Sequence, residues 1–267
     1  MSSFKDALGG IFKPREDFTS VIILAAGNGT RMHVSESGIV DPAAPATTKQ
    51  MTDIAGIPVI VRTIMQFENC PSITEIVVVA REEEISKYSE FISKFGFLKI
   101  SKVVKGSTTR QRSMFEGLKN VSDDADFIAV HDGCRCLVTP DMIEKVLNAA
   151  KIHGSAAAGC HSKDTFKQVD SYGFIVKTVD RKHLWHAQTP QIFKADILRA
   201  GAYIARDEKY EVTDDCMLAE HIGFKIKMVD CGYENIKLTT PDDIYIAEAI
   251  LRYRTDHLKA EKLKSEE

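Results

Sequence analysis

The stretch from Ser20 to Met32 reads SVIILAAGNGTRM. A β-branched apolar run, Val21, Ile22, Ile23 and Leu24, passes into Ala25 and Ala26, then into Gly27, Asn28, Gly29 and Thr30, and closes on Arg31. The pattern predicts a buried strand that empties into a loop almost free of side chains. Such a loop exposes backbone N–H groups, lets a ligand approach the main chain, and here ends in a cation that can meet negative charge. It reads as a site for the phosphates of a nucleotide. Glycines after a strand also build ordinary tight turns, so support must come from the rest of the chain. Spacing excludes two other phosphate motifs: no third glycine lies three residues beyond Gly29, as a dinucleotide fingerprint requires, and no G-K-[ST] follows.

Outward from this stretch, the 267-residue chain is 44% hydrophobic, enough for one large α/β domain with a sizeable core. A formal net charge of -3 and a pI near 6.3 leave no global basic field, so neither nucleic acid nor an anionic membrane is an expected partner. Cations that matter must be placed locally. Six cysteines without a secretory pattern at the start point to a reducing, cytoplasmic setting, and no apolar run approaches a membrane span. Cys134 and Cys136 flank Arg135 too tightly for a zinc pair and have no second pair to join, so they read as buried thiols.

Residues 1–17 read as a flexible leader, 18–255 as the domain, and 256–267 as a charged tail or solvated helix end. His33 to Thr48 is rich in Ser, Gly, Pro and Ala and too long for a routine strand-to-helix connection; it reads as a lid or a surface insertion, ending at Lys49. Beyond it, helices and strands alternate as in a parallel sheet with helices on its faces. Helices are expected at Pro58–Glu68, Glu82–Phe95 and Thr109–Leu118 and from Pro140; strands at Ile73–Ala80, Ile100–Val104, Asp126–Val130 and Ser155–Gly159. Asp164–Arg181 breaks the alternation with two strands around a Ser171-Tyr172-Gly173 turn, either an arm for a partner subunit or an edge hairpin of the same sheet. Leu184–Lys194 follows, then a helix through Ala205, a second opened by Thr213 with Asp214 and Asp215 in its first turn, the strand Lys225–Val229, and a last helix, Pro241–Tyr253.

Open α/β sheets bind ligands beyond the carboxyl ends of their strands. Applied here, the rule gathers Ala25 to Arg31, Gly106 to Ser113 (Arg110 within it), and Asp132 to Arg135. Phosphoryl transfer concentrates negative charge, so fixed cations and a metal do most of the work. Arg31 and Lys49 are placed to hold a triphosphate, and Asp132 to help hold Mg²⁺. Asp132 is equally a cap or surface ion pair when taken singly, and Lys49 a solvated loop lysine. His131, His183 and His186 read as hydrogen-bonded structural residues, and no G-x-S-x-G or H-E-x-x-H anchors a hydrolase.

With these residues in place, LAAGNGTRM, KQ, GSTTRQRS, VHDGCR, DTFK, TVDRKHLWHAQTPQ, VTDD and NIKLTTPDD together resemble the 2-C-methyl-D-erythritol 4-phosphate cytidylyltransferases, and less closely the ribitol-5-phosphate cytidylyltransferases. The resemblance runs nearly end to end. It implies a Rossmann-like nucleotidyltransferase fold and a homodimer whose hairpin arm, about 162–183, reaches the neighbouring site. It implies a reaction in which CTP and the polyol phosphate give a cytidine diphosphate alcohol and pyrophosphate, with Mg²⁺ as cofactor. On that reading Arg31, Lys49, Arg181 and Lys237 are catalytic, the first two at the α-phosphate and the last two at the sugar phosphate. Ala25, Ala26, Gly27, Gly29, Gly106, Arg110, Ser113 and Asp132 hold the nucleotide, with Asp132 also at the metal. Thr165, Arg135, Thr189, Thr213 and Thr239 serve the second substrate or the shell that supports it.

The chain departs from the family where Thr48 replaces the proline before K-Q and where Cys136 replaces the proline of H-D-A-A-R-P; Gly133 and Cys134 keep the small size of that turn. Other polyol phosphates, ribitol phosphate among them, are the alternative acceptors, and LWHAQTPQ favours methylerythritol phosphate. A nucleotide-binding relative without activity is disfavoured because Arg31, Lys49, Arg181 and Lys237 are all present.

Overall fold

Strands covered on both faces lose the alternation of polar and apolar residues, and Val21–Leu24 and Ile76–Ala80 are of this kind. The computed structural model describes residues 15, 17–27 and 48–265. In it these runs form β1 (Thr19–Leu24) and β4 (Glu75–Ala80), paired in parallel near the middle of a seven-stranded sheet. Between them lie a short ribbon, β2 (Asp53–Ile54) and β3 (Ile57–Pro58), and helix α1 (Val59–Glu68). Then come α2 (Ile85–Phe95), β5 (Ile100–Lys105), α3 (Arg110–Leu118), β6 (Phe127–Asp132), α4 (Pro140–His153) and β7 (Ser155–His161). The hairpin β8 (Phe166–Val169) and β9 (Ile175–Val179) precedes β10 (Trp185–Lys194), α5 (Ala195–Asp207), α6 (Cys216–His221), β11 (Lys227–Asp230) and α7 (Asp242–Ser265).

The sheet order is β11-β7-β10-β6-β1-β4-β5. β10 runs antiparallel to both its neighbours, and the remaining pairs are parallel. The period of two along each strand sorts the core into two layers. Val21, Ile23 and Val78 face α1 and α4 through Ile60, Ile64, Phe67, Ile143 and Leu147. Ile22, Val77 and Val79 face α3 and α5 through Met114, Leu118 and Leu198. The C-R-C pattern resolves the same way, since Cys134 and Cys136 both enter a third cluster with Leu238, Ile244 and Ala247, and Arg135 turns away from it.

Four expectations need revision. The helix expected from Glu82 begins as a 3₁₀ turn, Glu82–Glu84, and becomes α-helical at Ile85. The helix expected to open at Thr213 starts at Cys216, because the N–H groups of Asp215 and Cys216 are taken by the Gln191 side chain (2.9 and 3.0 Å), which caps the helix. The last helix runs on to Ser265, so 256–265 continue the helix. The hairpin β8–β9 is a separate two-stranded sheet and adds no edge to the main one. The leader 1–14 and the lid or insertion up to residue 47 lie outside the described residues.

Candidate active site

The carboxyl ends of β1, β5 and β6 border one cleft of about 790 Å³. Ala26 and Gly27 line it from β1, Lys49 and Gln50 from the turn before β2, Gly106 to Arg110 and Ser113 from the start of α3, Asp132 to Cys134 from β6, and Lys237 and Thr239 from the segment before α7. The cleft thus lies at the end of the sheet to which the open-sheet rule points.

Each wall is held by bonds that the local sequence supplies. Gln50 Nε2 donates to the carbonyls of Ala25 (2.7 Å) and Gly27 (3.0 Å), tying the Lys49 turn to the glycine loop. Gly106 leaves β5 with its N–H on Ala80 O (2.8 Å), and its α-carbon lies so close to Ala26 that an added Cβ would sit 2.2 Å from the alanine methyl. Ser113 Oγ accepts from Ser107 N–H (2.9 Å), folding that loop back over α3. Thr109 caps α3 by accepting from Arg112 N–H, and the first helical turn holds no acidic residue. A helix N-terminus without negative charge favours an anion in front of it.

The far wall depends on Leu238, which is wholly buried between the cleft-lining Lys237 and Thr239 and donates its N–H to Cys134 O (2.9 Å). Asp243 accepts from Thr239 N–H, Thr239 Oγ1 and Thr240 N–H at 2.6 to 2.9 Å, anchoring this segment on α7. Burial works against the charge on Asp243, and these bonds nonetheless hold its carboxyl below the ordinary carboxylate range.

Asp132 is the electrostatic centre and, among the described residues, the one acidic side chain lining the cleft. Lys237 Nζ lies 2.8 Å from Oδ2, Arg110 Nε 3.2 Å from Oδ1, and Arg135 Nε 3.6 Å from Oδ2. Burial opposes ionisation, but Arg110 and Lys237 outweigh it and hold the carboxyl well below its usual range. Arg110 is fixed from its other side by the buried Asp215 (2.8 Å). The donor set suits Mg²⁺, a hard cation that takes one or two carboxylates and completes its shell with phosphate oxygens. Here one carboxylate shares the lining of the cleft with the hydroxyl side chains of Ser107 and Thr108.

His131, wholly buried, explains how Asp132 is aimed. Its Nε2 faces Arg135 O (3.2 Å), which can only accept, so Nε2 carries the proton and Nδ1 accepts from Thr189 Oγ1 (3.1 Å). Thr189 Oγ1 in turn accepts Asp132 N–H (3.0 Å). Burial pushes the imidazole down to about 3, so the ring is neutral and structural, as its sequence context suggests.

Several sequence-derived site residues stand elsewhere. Thr189 is buried and supports Asp132 from behind. Arg135 does not line the cleft; its guanidinium donates to Asn235 O (2.9 Å) and Ala187 O (3.4 Å) and braces the wall carrying Lys237. Thr213 is exposed and bonded to Met217 Sδ, because α6 starts beyond it. Ala25 is fully buried, with its N–H on Val79 O, one residue behind the cleft surface. Thr165 and Arg181 are exposed on the hairpin and its base, with Arg181 donating to Lys163 O, and neither lines this chain's cleft. Gly29 and Arg31 lie outside the described residues. Sequence reasoning passed over Gln50, Lys105 and Asp215. The K-Q and T-D-D strings held the first and last, and Lys105 carried no pattern to mark it.

Comparison with known proteins identifies the relatives of this chain. The family model described as 2-C-methyl-D-erythritol 4-phosphate cytidylyltransferase matches residues 19–253. A protein of that name from Caldanaerobacter subterraneus subsp. tengcongensis is 40% identical over 234 residues, covering 87% of this chain and 98% of its own. Another, from Clostridium acetobutylicum, is 40% identical over 232 residues, covering 86% and 96%. The crystal structure of the 4-diphosphocytidyl-2C-methyl-D-erythritol synthase of Anaerococcus prevotii superimposes with a TM-score of 0.76 at 31% identity, covering 89% of this chain and 97% of that one. With the β1 glycine loop, the Asp132 cluster and the Lys237 segment all within the matched span, the chain belongs to the 2-C-methyl-D-erythritol 4-phosphate cytidylyltransferase family.

Proposed function

We propose that the protein transfers the cytidylyl group of CTP to 2-C-methyl-D-erythritol 4-phosphate, giving 4-diphosphocytidyl-2-C-methyl-D-erythritol and pyrophosphate in isoprenoid biosynthesis. The observation that carries this reading is that Lys49, Arg110 and Lys237, from three separate parts of a chain of this family, line one cleft in which Arg110 and Lys237 pair with Asp132, its one acidic side chain among the described residues. An oxygen of the acceptor phosphate attacks the α-phosphorus of CTP. The bond to the bridging oxygen breaks, and its electron pair leaves with pyrophosphate. Both reactants are anions, so bringing them together needs fixed positive charge. Backbone N–H groups of the Gly27 loop and the α3 N-terminus receive the triphosphate, Lys49 with Arg31 stabilises the α-phosphate, and Lys237 with Arg181 holds the acceptor phosphate. Mg²⁺ would be held by Asp132 and the phosphates, and supplies charge neutralisation there. Incubation with CTP, Mg²⁺ and a panel of polyol phosphates checks the reading: pyrophosphate release is expected with methylerythritol phosphate. Release with ribitol phosphate alone would overturn the acceptor, and CTP binding without any release would overturn the activity.

The protein acts as a homodimer through the β8–β9 arm. Its apolar side chains support this: Tyr172, Phe174, Ile175 and Val176 are 85%, 73%, 63% and 61% exposed, on a two-stranded ribbon too small to be stable alone. Arg181 then completes the partner's site. Equal mixing of Lys49→Ala and Arg181→Ala chains, each keeping only a small residual activity alone, with verified subunit exchange, is expected to restore about a quarter of wild-type activity, since half the dimers are mixed and each has one intact site. No recovery would return Arg181 to its own subunit's site.

No helix among the described residues is long and apolar enough to cross a membrane.

A further inference from the structure

We propose that Thr48 and Glu84 are positioning residues for Lys49, a role that rests on Lys49 serving the CTP phosphates. Thr48 immediately precedes Lys49. Thr48 Oγ1 donates to Glu84 Oε1 at 2.5 Å, and both residues are buried, at 9% and 5% exposure. A carboxylate rarely sits inside a fold without a compensating partner. Glu84 Oε2 has no hydrogen-bond partner among the described residues, so the threonine hydroxyl is the bond that this carboxyl keeps.

The same threonine starts the turn that carries the lysine. Thr48 O accepts from Met51 N–H (2.9 Å), Thr52 N–H (3.1 Å) and Thr52 Oγ1 (3.3 Å). At its other end the turn is fastened to α1, with Val59 N–H on Thr52 O and Ile60 N–H on Gln50 O, both 2.9 Å. Gln50 ties it to the glycine loop, as described above. Lys49 therefore lies between a bond to the start of α2 and a bond to the nucleotide loop. The Gln50 bonds hold the turn on one side of Lys49, and the Thr48–Glu84 bond holds it on the other.

A proline at this position would restrict the entry by locking its own φ. Threonine has no such lock, and the buried hydroxyl–carboxylate bond provides the restraint instead. The two devices differ in one testable way: the hydroxyl acts through a partner, Glu84, that can be changed independently.

The experiment measures kcat, KM for CTP and thermal midpoint for Thr48→Val, Thr48→Ser, the paired Thr48→Val with Glu84→Met, and each in a Lys49→Ala background. The paired variant removes the bond without leaving an orphaned buried carboxylate, so it reports on position even where Thr48→Val alone folds poorly. Displacing a group at the reacting phosphate is expected to lower kcat roughly ten- to a hundredfold, with a smaller change in KM for CTP. Thr48→Ser should stay within about threefold of wild type, since it keeps the donor. In the Lys49→Ala background, Thr48→Val should cost no further factor, because the position of an absent lysine cannot matter. Loss of the same factor in both backgrounds, or unchanged kcat in the paired variant, would overturn the positioning role. Unchanged kcat in Lys49→Ala itself would instead overturn the role of Lys49, and the proposal with it.

Discussion

Asp132→Asn is expected to lose both activity and stability, because one carboxylate compensates three cations. Lys237 Nζ, Arg110 Nε and Arg135 Nε lie 2.8, 3.2 and 3.6 Å from its oxygens. Removing one partner of a buried ion pair costs about 3–5 kcal/mol. Arg110 and Lys237 are partly exposed, at 28% and 39%, so water will screen part of the loss and the lower end, about 3 kcal/mol, is expected. In a domain of this size that lowers the melting temperature by roughly 6–12 °C. Activity should fall about a thousandfold, as when a group aimed at developing charge is removed. The pH dependence follows from the direction of the shift. Because the folded carboxyl is held below its unfolded range, its stabilisation is present above about pH 4 and is lost as pH falls through the folded value. Melts of wild type and Asn variant should therefore draw together in acid. A constant gap from pH 7 to 3 would assign the stability to something other than charge.

Gly106→Ala should act through space rather than charge. The new Cβ would stand 2.2 Å from Ala26 Cβ, 3.2 Å from Ser113 Oγ and 3.3 Å from Val79 Cγ1. Neither backbone can step aside cheaply, since Gly106 N–H is bonded to Ala80 O (2.8 Å) and Ala25 N–H to Val79 O (2.7 Å). Overpacking of this kind costs about 1–3 kcal/mol. It also parts the two loops proposed to receive the triphosphate, so CTP affinity should weaken by roughly ten- to a hundredfold, a misplacement effect rather than a lost contact. Calorimetric titration with CTP and a thermal melt check both. Adding Ala26→Gly removes the opposing methyl and should restore most of each; failure to restore either would show that the contact is not the cause.

These residues differ in how far the sequence announces them. β1 was legible because a strand buried on two faces is a local pattern. Asp132 was legible because the open-sheet rule turns a place in the chain into a place in space. Arg135 sits beside the site in sequence and Thr189 far from it, yet neither lines the cleft, because burial of a polar side chain is decided by partners far along the chain: Asn235 for one, His131 for the other. Thr213 was placed in a helix by its likeness to a cap, but Gln191, from β10, performs the capping two residues later. The antiparallel insertion of β10 between β6 and β7 leaves no local mark, because its direction depends on which neighbours it pairs with. The hairpin was legible as a hairpin from its alternation and turn; its separation from the sheet was not, since nothing in β8 or β9 says what they avoid.

The bond from Leu238 N–H to Cys134 O joins two segments a hundred residues apart, and it has a consequence for synthesis. During translation the N-terminal parts of a chain emerge and fold first. β1, β4, β5 and β6 are all complete by Asp132, whereas the wall bearing Lys237 and Thr239 emerges more than a hundred residues later, after β11. Until then Asp132 has only arginines to answer its charge, and the cleft stands open on that side. The segment that follows the last strand is thus what turns a folded sheet into a closed cleft, and a message cut short before it would yield a protein with its sheet complete and its cleft open on one side.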